Sequence, residues 1–339
     1  MTSIHEPVLS AIIPTHNRAD LVRRAVYSVL NQTFTDLEVV VVIDGPDEVT
    51  LRALSDISDE RVRSIALSAC VGGSMARNFG VSAARGRWVA FLDDDDEWLP
   101  QKIDKQLALA AKSRFKYPIV SSQLIRRTSG RDEIWPRRVP TPPVSEYLFS
   151  RHSWAGGEGL ISTITILAPT ELFGLCEFRS SLRRHQEWDW LLRCLRQPGT
   201  GIEFVPEPLA IWHVAQGRTS VSSPDNWEFS LDWLHEIREC TTPRAYAGFI
   251  ATLIAPQASA QRAWRVFFPL LWEMTLDGAP RLMDYCLYLG MWLPKQLRRK
   301  VACLYIFFVS IKNRCRTHCR LPGAVAISSR YRTNTAKVR

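Results

Sequence analysis

Asp93, Asp94, Asp95 and Asp96 run consecutively, directly after the apolar stretch Trp88-Val89-Ala90-Phe91-Leu92 and directly before Glu97-Trp98-Leu99-Pro100. Four adjacent carboxylates repel one another, so a chain that sets them at the end of a buried strand needs a compensating cation there. Hard divalent ions such as Mg²⁺ take carboxylate oxygens and bridge them to a substrate's phosphates, which points to a metal-diphosphate site. The competing reading is an acidic loop capping a helix that starts near Pro100, since carboxylates suit helix N-termini and Pro suits a first turn.

The elements around this run must bring it to a crevice. Residues 8–13 read as a short buried strand stopped by Pro14, and the spacing of Leu21, Val22, Ala25, Val26, Val29 and Leu30 predicts a helix with Arg23 and Arg24 on its wet side. Residues 37–43 form an almost continuous β-branched run suited to a central parallel strand, ended by Asp44-Gly45-Pro46. The alternation continues with a helix at 48–57, a strand at 62–67, a helix at 74–84 and the strand at 88–92. Such alternation predicts an α/β fold, a mostly parallel sheet with helices on both faces. Ligands of open sheets sit beyond the carboxyl ends of the strands, the edge that Asp44 and the acidic run share.

Residues 116–154, rich in Pro and Arg, read as an irregular segment or lid. Strand character resumes at 160–168 and again at 202–205 and 209–214, and residues 187–195 read as a helix. Beyond about residue 240, residues 246–254, 263–274 and 282–293 look like successive apolar helices. The expected division is therefore a domain at 1–235, with halves at 1–115 and 116–235, and a helical, basic extension at 240–339.

The formal net charge of +9 is unevenly placed, because residues 285–339 hold twelve Lys or Arg and no acid, leaving −3 on residues 1–284. A basic tail beside apolar segments fits an anionic membrane surface better than nucleic acid, which calls for a basic folded face with stacking aromatics. The apolar run at 301–311 reaches only about 16 Å as a helix, too short for a bilayer core, so it reads as interfacial or buried. The eight scattered cysteines form no disulfide framework, and Cys315-x-x-His318-Cys319 lacks a second ligand pair for zinc. With no signal peptide evident, the expected place is the cytoplasm, at the inner face of the cell membrane.

The order of motifs over residues 8–220 resembles a family 2 glycosyltransferase of the GT-A fold. Pro14-Thr15-His16-Asn17-Arg18 resembles that family's opening motif, and Val42-Ile43-Asp44-Gly45 its second, where Ile43 replaces the first of two usual Asp residues. Ala76-Arg77-Asn78-Phe79-Gly80 resembles its Ala-Arg-Asn-x-Gly segment, and Phe91-Leu92-Asp93-Asp94-Asp95-Asp96 its Asp-x-Asp motif. The resemblance implies that Pro14, Thr15, Asn17, Asp44 and Arg77 bind the nucleotide, Asp44 at the base. It implies Asp95 as principal metal ligand, with Asp93 or Asp94 at the ribose or a water, and Asp96 left as the helix cap.

Arg183-Arg184-His185-Gln186-Glu187-Trp188-Asp189-Trp190 resembles the later motif that carries the catalytic base. The base falls on Glu187, where the family has Asp, and Asp189 is the second candidate. Ile211-Trp212-His213 and Arg218-Thr219-Ser220 resemble the closing segment, with His213 placed to complete the metal sphere or meet the diphosphate. Trp154, Trp188, Trp190 and Trp212 could stack on sugars or belong to the core. The implied reaction is inverting transfer from a nucleotide-diphosphate sugar, a UDP-sugar first, with Mg²⁺ or Mn²⁺. The basic, apolar tail points to a glycan or lipid-linked acceptor hydroxyl in cell-envelope synthesis. A non-catalytic sugar-binding module and a nucleotidyltransferase are the alternatives.

Overall fold

The computed structural model describes residues 6–153, 158–214, 227–294 and Leu297. The basic run at 298–339, with its apolar stretch and Cys315 and Cys319, lies outside the described residues, as do Trp154 and Arg218-Thr219-Ser220. Among the described residues, nine strands join one mixed sheet. Its first half follows from apolar runs: β1 (Leu9–Thr15), β2 (Leu37–Ile43), β3 (Val62–Ala66) and β4 (Trp88–Phe91) are parallel in the order β3-β2-β1-β4. Every residue of β2 is buried, as a strand covered on both faces requires.

Alternate residues of these strands feed opposite layers. Leu9, Ala11, Ile13, Val39, Val41 and Ile43 pack with α1 (Ala19–Leu30), α2 (Glu48–Ser55) and α4 (Lys102–Ala110). Ile12, Val40, Val42, Val89 and Phe91 pack with α3 (Gly73–Ala83), α6 (Thr170–Leu175) and α7 (Gln186–Cys194). At Gly80 the α3 backbone comes so close to the sheet that a Cβ would sit 2.3 Å from Ile12 Cγ2. The sheet edge carrying Thr15, Asp44 and the acidic run is thereby set against the N-terminus of α3.

The second half departs from the sequence expectation. Residues 116–154 hold β6 (Tyr117–Thr128), β7 (Arg131–Trp135) and α5 (Val144–Phe149), not an irregular lid. The reason is that the polar groups of β6 find partners: Ser121 Oγ lies 2.9 Å from Thr165 Oγ1, and Arg126 lies over the rings of Trp135 and Trp212. The strand expected at 160–168 shrinks to β8 (Leu167–Pro169), antiparallel to β4 and β6. The two apolar stretches flanking Pro206-Glu207-Pro208 are instead one strand, β9 (Thr200–His213), parallel to β6. The β6 register shifts opposite the prolines, which cannot donate to a ladder. The short β5 (Glu97–Trp98), straight after the acidic run, pairs antiparallel with Ile211 and Ala210 of β9.

The remaining helices are α8 (Trp227–Glu236), α9 (Pro243–Phe249), α10 (Ala255–Ala260), α11 (Phe267–Leu276) and α12 (Leu282–Met291). The single helix expected at 246–254 is a helix, then a π turn over Ile250–Ile254, because Pro256 follows and cannot donate to the turn before it. These helices form their own core, which takes in Phe149, Leu182 and Leu192 from the sheet domain. The chain divides into compact units after Trp292, so the break expected near residue 240 falls inside one unit. Among the described residues no helix is long and apolar enough to cross a membrane.

Candidate active site

The chain turns sharply after β1 because Asn17 takes a left-handed conformation (φ 54°), which Asn tolerates better than most residues. Its N–H donates to Asp47 Oδ2 at 3.0 Å. His16 Nδ1 lies 2.6 Å from the Asp44 carbonyl, which can only accept, so Nδ1 carries the proton and Nε2 accepts from Asn17 Nδ2 at 3.1 Å. Pro14 lies within β1 opposite Val42, and Thr15 opposite Ile43.

The Asp44 carboxylate is already engaged. Oδ1 accepts from the Val71 N–H at 2.7 Å and Oδ2 from the Gly72 N–H at 2.9 Å, with the exposed Cys70 thiol 3.4 Å from Oδ2. Gly72 (φ 87°) starts α3 in a conformation that L side chains rarely adopt. Asp44 therefore holds the loop at 70–72 through its carboxylate.

The four aspartates divide into two pairs. Asp94 is buried, accepting from Thr15 Oγ1 at 2.8 Å and Arg18 Nη1 at 2.9 Å. Asp96 is buried and accepts from the His213 N–H at 2.8 Å. Asp96 is thus not a helix cap: α4 begins at Lys102, beyond the expected start, with Gln101 at its N-cap. Asp93 and Asp95 keep 35 % and 26 % of their side chains exposed, against 7 % for Asp94. Burial pushes the Asp94 carboxyl up, against the pull of Arg18, and pushes Asp96 well up, with repulsion from Asp93 and Asp95 adding to it.

Three arginines hold the run together. Arg18 Nη1 reaches Asp95 Oδ2 at 3.2 Å as well as Asp94. Arg24, expected on the wet side of α1, turns inward to donate to the Asp95 carbonyl and lies 3.3 Å from Glu97 Oε1. Arg77 Nη2 donates to Asp93 Oδ1 at 2.7 Å and Nη1 to Gln186 Oε1 at 2.7 Å. Sequence reasoning missed Arg18, Arg24, Glu97 and Gln186 as site residues. For the two arginines the available signal was their place in the turn and helix that follow β1, at the edge that receives the acidic run.

Glu187 lies in the first turn of α7, beside Gln186. Its carboxyl is pushed up by desolvation, opposed by its own backbone N–H and by Arg77, and raised further by Asp93. A carboxyl held up in this way is suited to accepting a proton. Asp189 is not: it is fully buried, salt-bridged to Arg179 and to Arg193 (2.7 Å), and takes a bond from Trp233 Nε1 at 3.2 Å. The second candidate base is a structural anchor of α7. His185, at φ 61°, precedes the helix, stacked on Trp188 and Trp233 with Nε2 3.0 Å from Ser230 Oγ, and burial brings its pKa down to about 3. Trp190 is core, stacked on Phe173.

His213 sits between Asp96 and Glu97, its Nε2 2.7 Å from Glu97 Oε1. Among the described residues no group of three His, Cys, Asp or Glu side chains is gathered to hold a metal. Asp93 and Asp95, two residues apart and partly exposed, nonetheless supply the carboxylate oxygens a hard divalent ion takes.

A parallel β3-β2-β1-β4 sheet with carboxylates at its carboxyl edge, continued by a mixed second half in which β8 runs antiparallel and β9 parallel to β6, fits the GT-A fold. Residues 10–161, a little under half of the chain, match the model of glycosyl transferase family 2. It is 27% identical over 248 residues to the amylovoran biosynthesis glycosyltransferase AmsB of Erwinia amylovora, covering 69% of this chain and 79% of that one. It is 35% identical over 100 residues, 30% of this chain and 40% of the relative, to the UDP-Glc:alpha-D-GlcNAc-diphosphoundecaprenol beta-1,3-glucosyltransferase WfaP of Escherichia coli. The fold is similar to S. aureus TarS 1-349 in complex with UDP-GlcNAc, with a TM-score of 0.51, 16% identity, and coverage of 84% of this chain and 79% of that one.

Proposed function

We propose that this chain transfers a sugar, with inversion, from a nucleotide-diphosphate sugar to an acceptor hydroxyl during assembly of a cell-envelope or surface glycan. The observation that carries the reading is the desolvated Glu187 carboxyl beside the Arg77–Asp93 pair, at the edge where the sheet ends. The names of the relatives support the substrate classes: amylovoran biosynthesis for one, UDP-glucose and a diphosphoundecaprenol-linked acceptor for the other. A UDP-sugar is accordingly the donor to test first.

Glu187 takes the proton of the acceptor hydroxyl, whose oxygen bonds to the anomeric carbon as the bond to the diphosphate breaks and the nucleoside diphosphate leaves. Displacement from the opposite face inverts the carbon, and no protein nucleophile is required. Arg77 positions Gln186 and so the first turn of α7, while Asp44 shapes the base side by fixing the loop at 70–72. Asp95, assisted by Asp93, would hold Mg²⁺ or Mn²⁺, which offsets charge on the leaving diphosphate. His213, whose Nε2 lies against Glu97 Oε1, is the further candidate for the ion or the diphosphate. The basic tail at 285–339 supports a peripheral place on the inner face of the membrane, near a lipid-linked acceptor.

A panel of nucleotide sugars with Mn²⁺, read by mass spectrometry for binding, hydrolysis and transfer, tests the reading. Transfer separates an enzyme from a binding module. If no donor binds or is hydrolysed and Asp95→Ala changes nothing, the transferase reading fails.

A further inference from the structure

Helices α11 and α12 present an apolar surface that the reaction does not use. On α11 the stripe runs Phe268, Trp272, Leu276 at every fourth position, with Trp264 one turn earlier, and Leu282 and Leu289 extend it on α12. Phe268 is 75% exposed, Trp272 69% and Leu282 79%, while Leu270, Met274, Leu287 and Tyr288 on the inner sides are buried. Between the two helices lies an open groove of about 670 Å³, lined by Phe268, Pro269, Leu271, Trp272, Tyr285 and Leu289. Contiguous apolar surface of this kind marks an interaction site.

Charge indicates the occupant. Arg262, Arg265 and Arg281 are exposed around the patch. Of the three acids at 262–292, Asp284 is buried against Arg244, and Glu273 bonds to Tyr246 and His235, which leaves Asp277 at the surface. In sequence, residues 293–339 hold a further twelve Lys or Arg and no acid, which raises the net positive charge of the chain. A second copy of the chain would bring this basic rim against itself, and like charges across an interface are costly. Aromatic and aliphatic side chains within a basic surround match the chemistry of interfacial helices on anionic lipid.

We infer that the α11–α12 face docks on an anionic lipid surface, with Phe268, Trp272 and Leu276 entering the boundary between headgroups and acyl chains. The inference deepens the membrane reading of the tail, which rests on charge alone, and it stands whether or not the donor site is active.

Co-sedimentation of the full chain with phosphatidylcholine vesicles, with and without phosphatidylglycerol, tests it. Three proteins are compared: the wild type, Phe268→Glu/Trp272→Glu, and a tail variant with Arg298, Arg299 and Lys300 changed to Ser. Thermal melts serve as the control for folding, with donor binding measured alongside. Because the face residues are exposed, Phe268→Ser/Trp272→Ser is a milder second variant. The wild type is expected to bind vesicles containing phosphatidylglycerol, and the face variants to bind roughly tenfold or more weakly with donor affinity unchanged. Brominated lipid should quench less fluorescence in Trp272→Phe than in the wild type. Face variants that bind vesicles like the wild type, while the tail variant does not, overturn the face and leave the tail reading intact. A wild-type dimer that the face variants convert to monomer, with vesicle binding unchanged, assigns the patch to a second copy and also overturns it. If the wild type binds no vesicles, both membrane readings fall and the donor site is untouched.

Discussion

Arg77 lies 2.7 Å from the carboxylate of Asp93, and the other arm of its guanidinium donates to Gln186, next to the proposed base. One side chain from α3 thus spans the acidic run after β4 and the first turn of α7, two segments far apart in sequence. Lysine keeps the charge but is a point donor without the planar fork, so it cannot hold both partners in this geometry. Arg77→Lys is expected to cut turnover about tenfold to a hundredfold with a smaller change in stability. Steady-state kinetics alongside thermal melts check this, and wild-type turnover in the lysine variant would remove the bridge from the account.

Glu187→Gln should separate stability from turnover. The folded protein holds this carboxyl above its ordinary pKa, chiefly by desolvation, so the folded state binds the proton more tightly than the unfolded one. Its charge therefore opposes folding as pH rises from the unfolded pKa through the folded one, and the penalty is fully present above that window. The amide, which never ionises, should melt at the same temperature or higher at neutral pH, with turnover down by about 10²–10⁴. In the wild type, kcat should rise with pH through the raised Glu187 pKa. A pH profile unchanged by the substitution would assign the base elsewhere.

The acidic run should respond unevenly to mutation. Asp95→Ala is expected to abolish any dependence of turnover on added Mn²⁺ while leaving the melting temperature nearly unchanged, since Asp95 is partly exposed. Asp94→Ala leaves Thr15 and Arg18 without their buried acceptor and should cost about 1–3 kcal/mol of stability. Metal titrations of activity and denaturant melts on both variants make the comparison. Equal behaviour of the two would contradict the division into exposed and buried carboxylates.

Asp189→Asn should unfold α7 before it affects chemistry. The fully buried carboxylate is shared by Arg179 and Arg193, so removing its charge leaves Arg193 without its ionic partner and Arg179 with Glu236 alone. The expected loss is about 3 kcal/mol, the low end for a broken buried pair because both arginines retain some water. A stable Asp189→Asn protein without turnover would instead restore Asp189 as a base.

Gly80→Ala probes the seat of α3. The added Cβ would meet Ile12 Cγ2 at 2.3 Å, so the helix must lift or Ile12 must change rotamer. About 1–3 kcal/mol of destabilisation is expected. Adding Ile12→Leu, which removes the β-branch methyl that the new Cβ meets, should recover part of it, and additive losses in the double variant would place the strain elsewhere.

Much of this architecture was legible because burial writes itself into composition. A strand such as Leu37–Ile43, covered on both faces, admits little but β-branched residues, and the four parallel strands and their helices follow from that. β6 was not legible, since Ser121, Ser122, Gln123, Arg126 and Arg127 resemble a loop until Thr165, Trp135 and Trp212 are folded against some of them. The site shows the same limit. The acidic run and Arg77 stand out in one dimension, whereas the inward turn of Arg24 and the engagement of Asp189 depend on which side of a helix meets the fold. Asp44 stood out too, but its role at the loop at 70–72 needed the backbone N–H groups that arrive with α3.

The placing of Arg18 among the aspartates also bears on the order of events in the life of the chain. Because Arg18, Arg24 and Arg77 already meet the run, its mutual repulsion is relieved by the polypeptide itself. Assembly of the sheet edge then needs no divalent ion, and the fold of this edge should be indifferent to chelators.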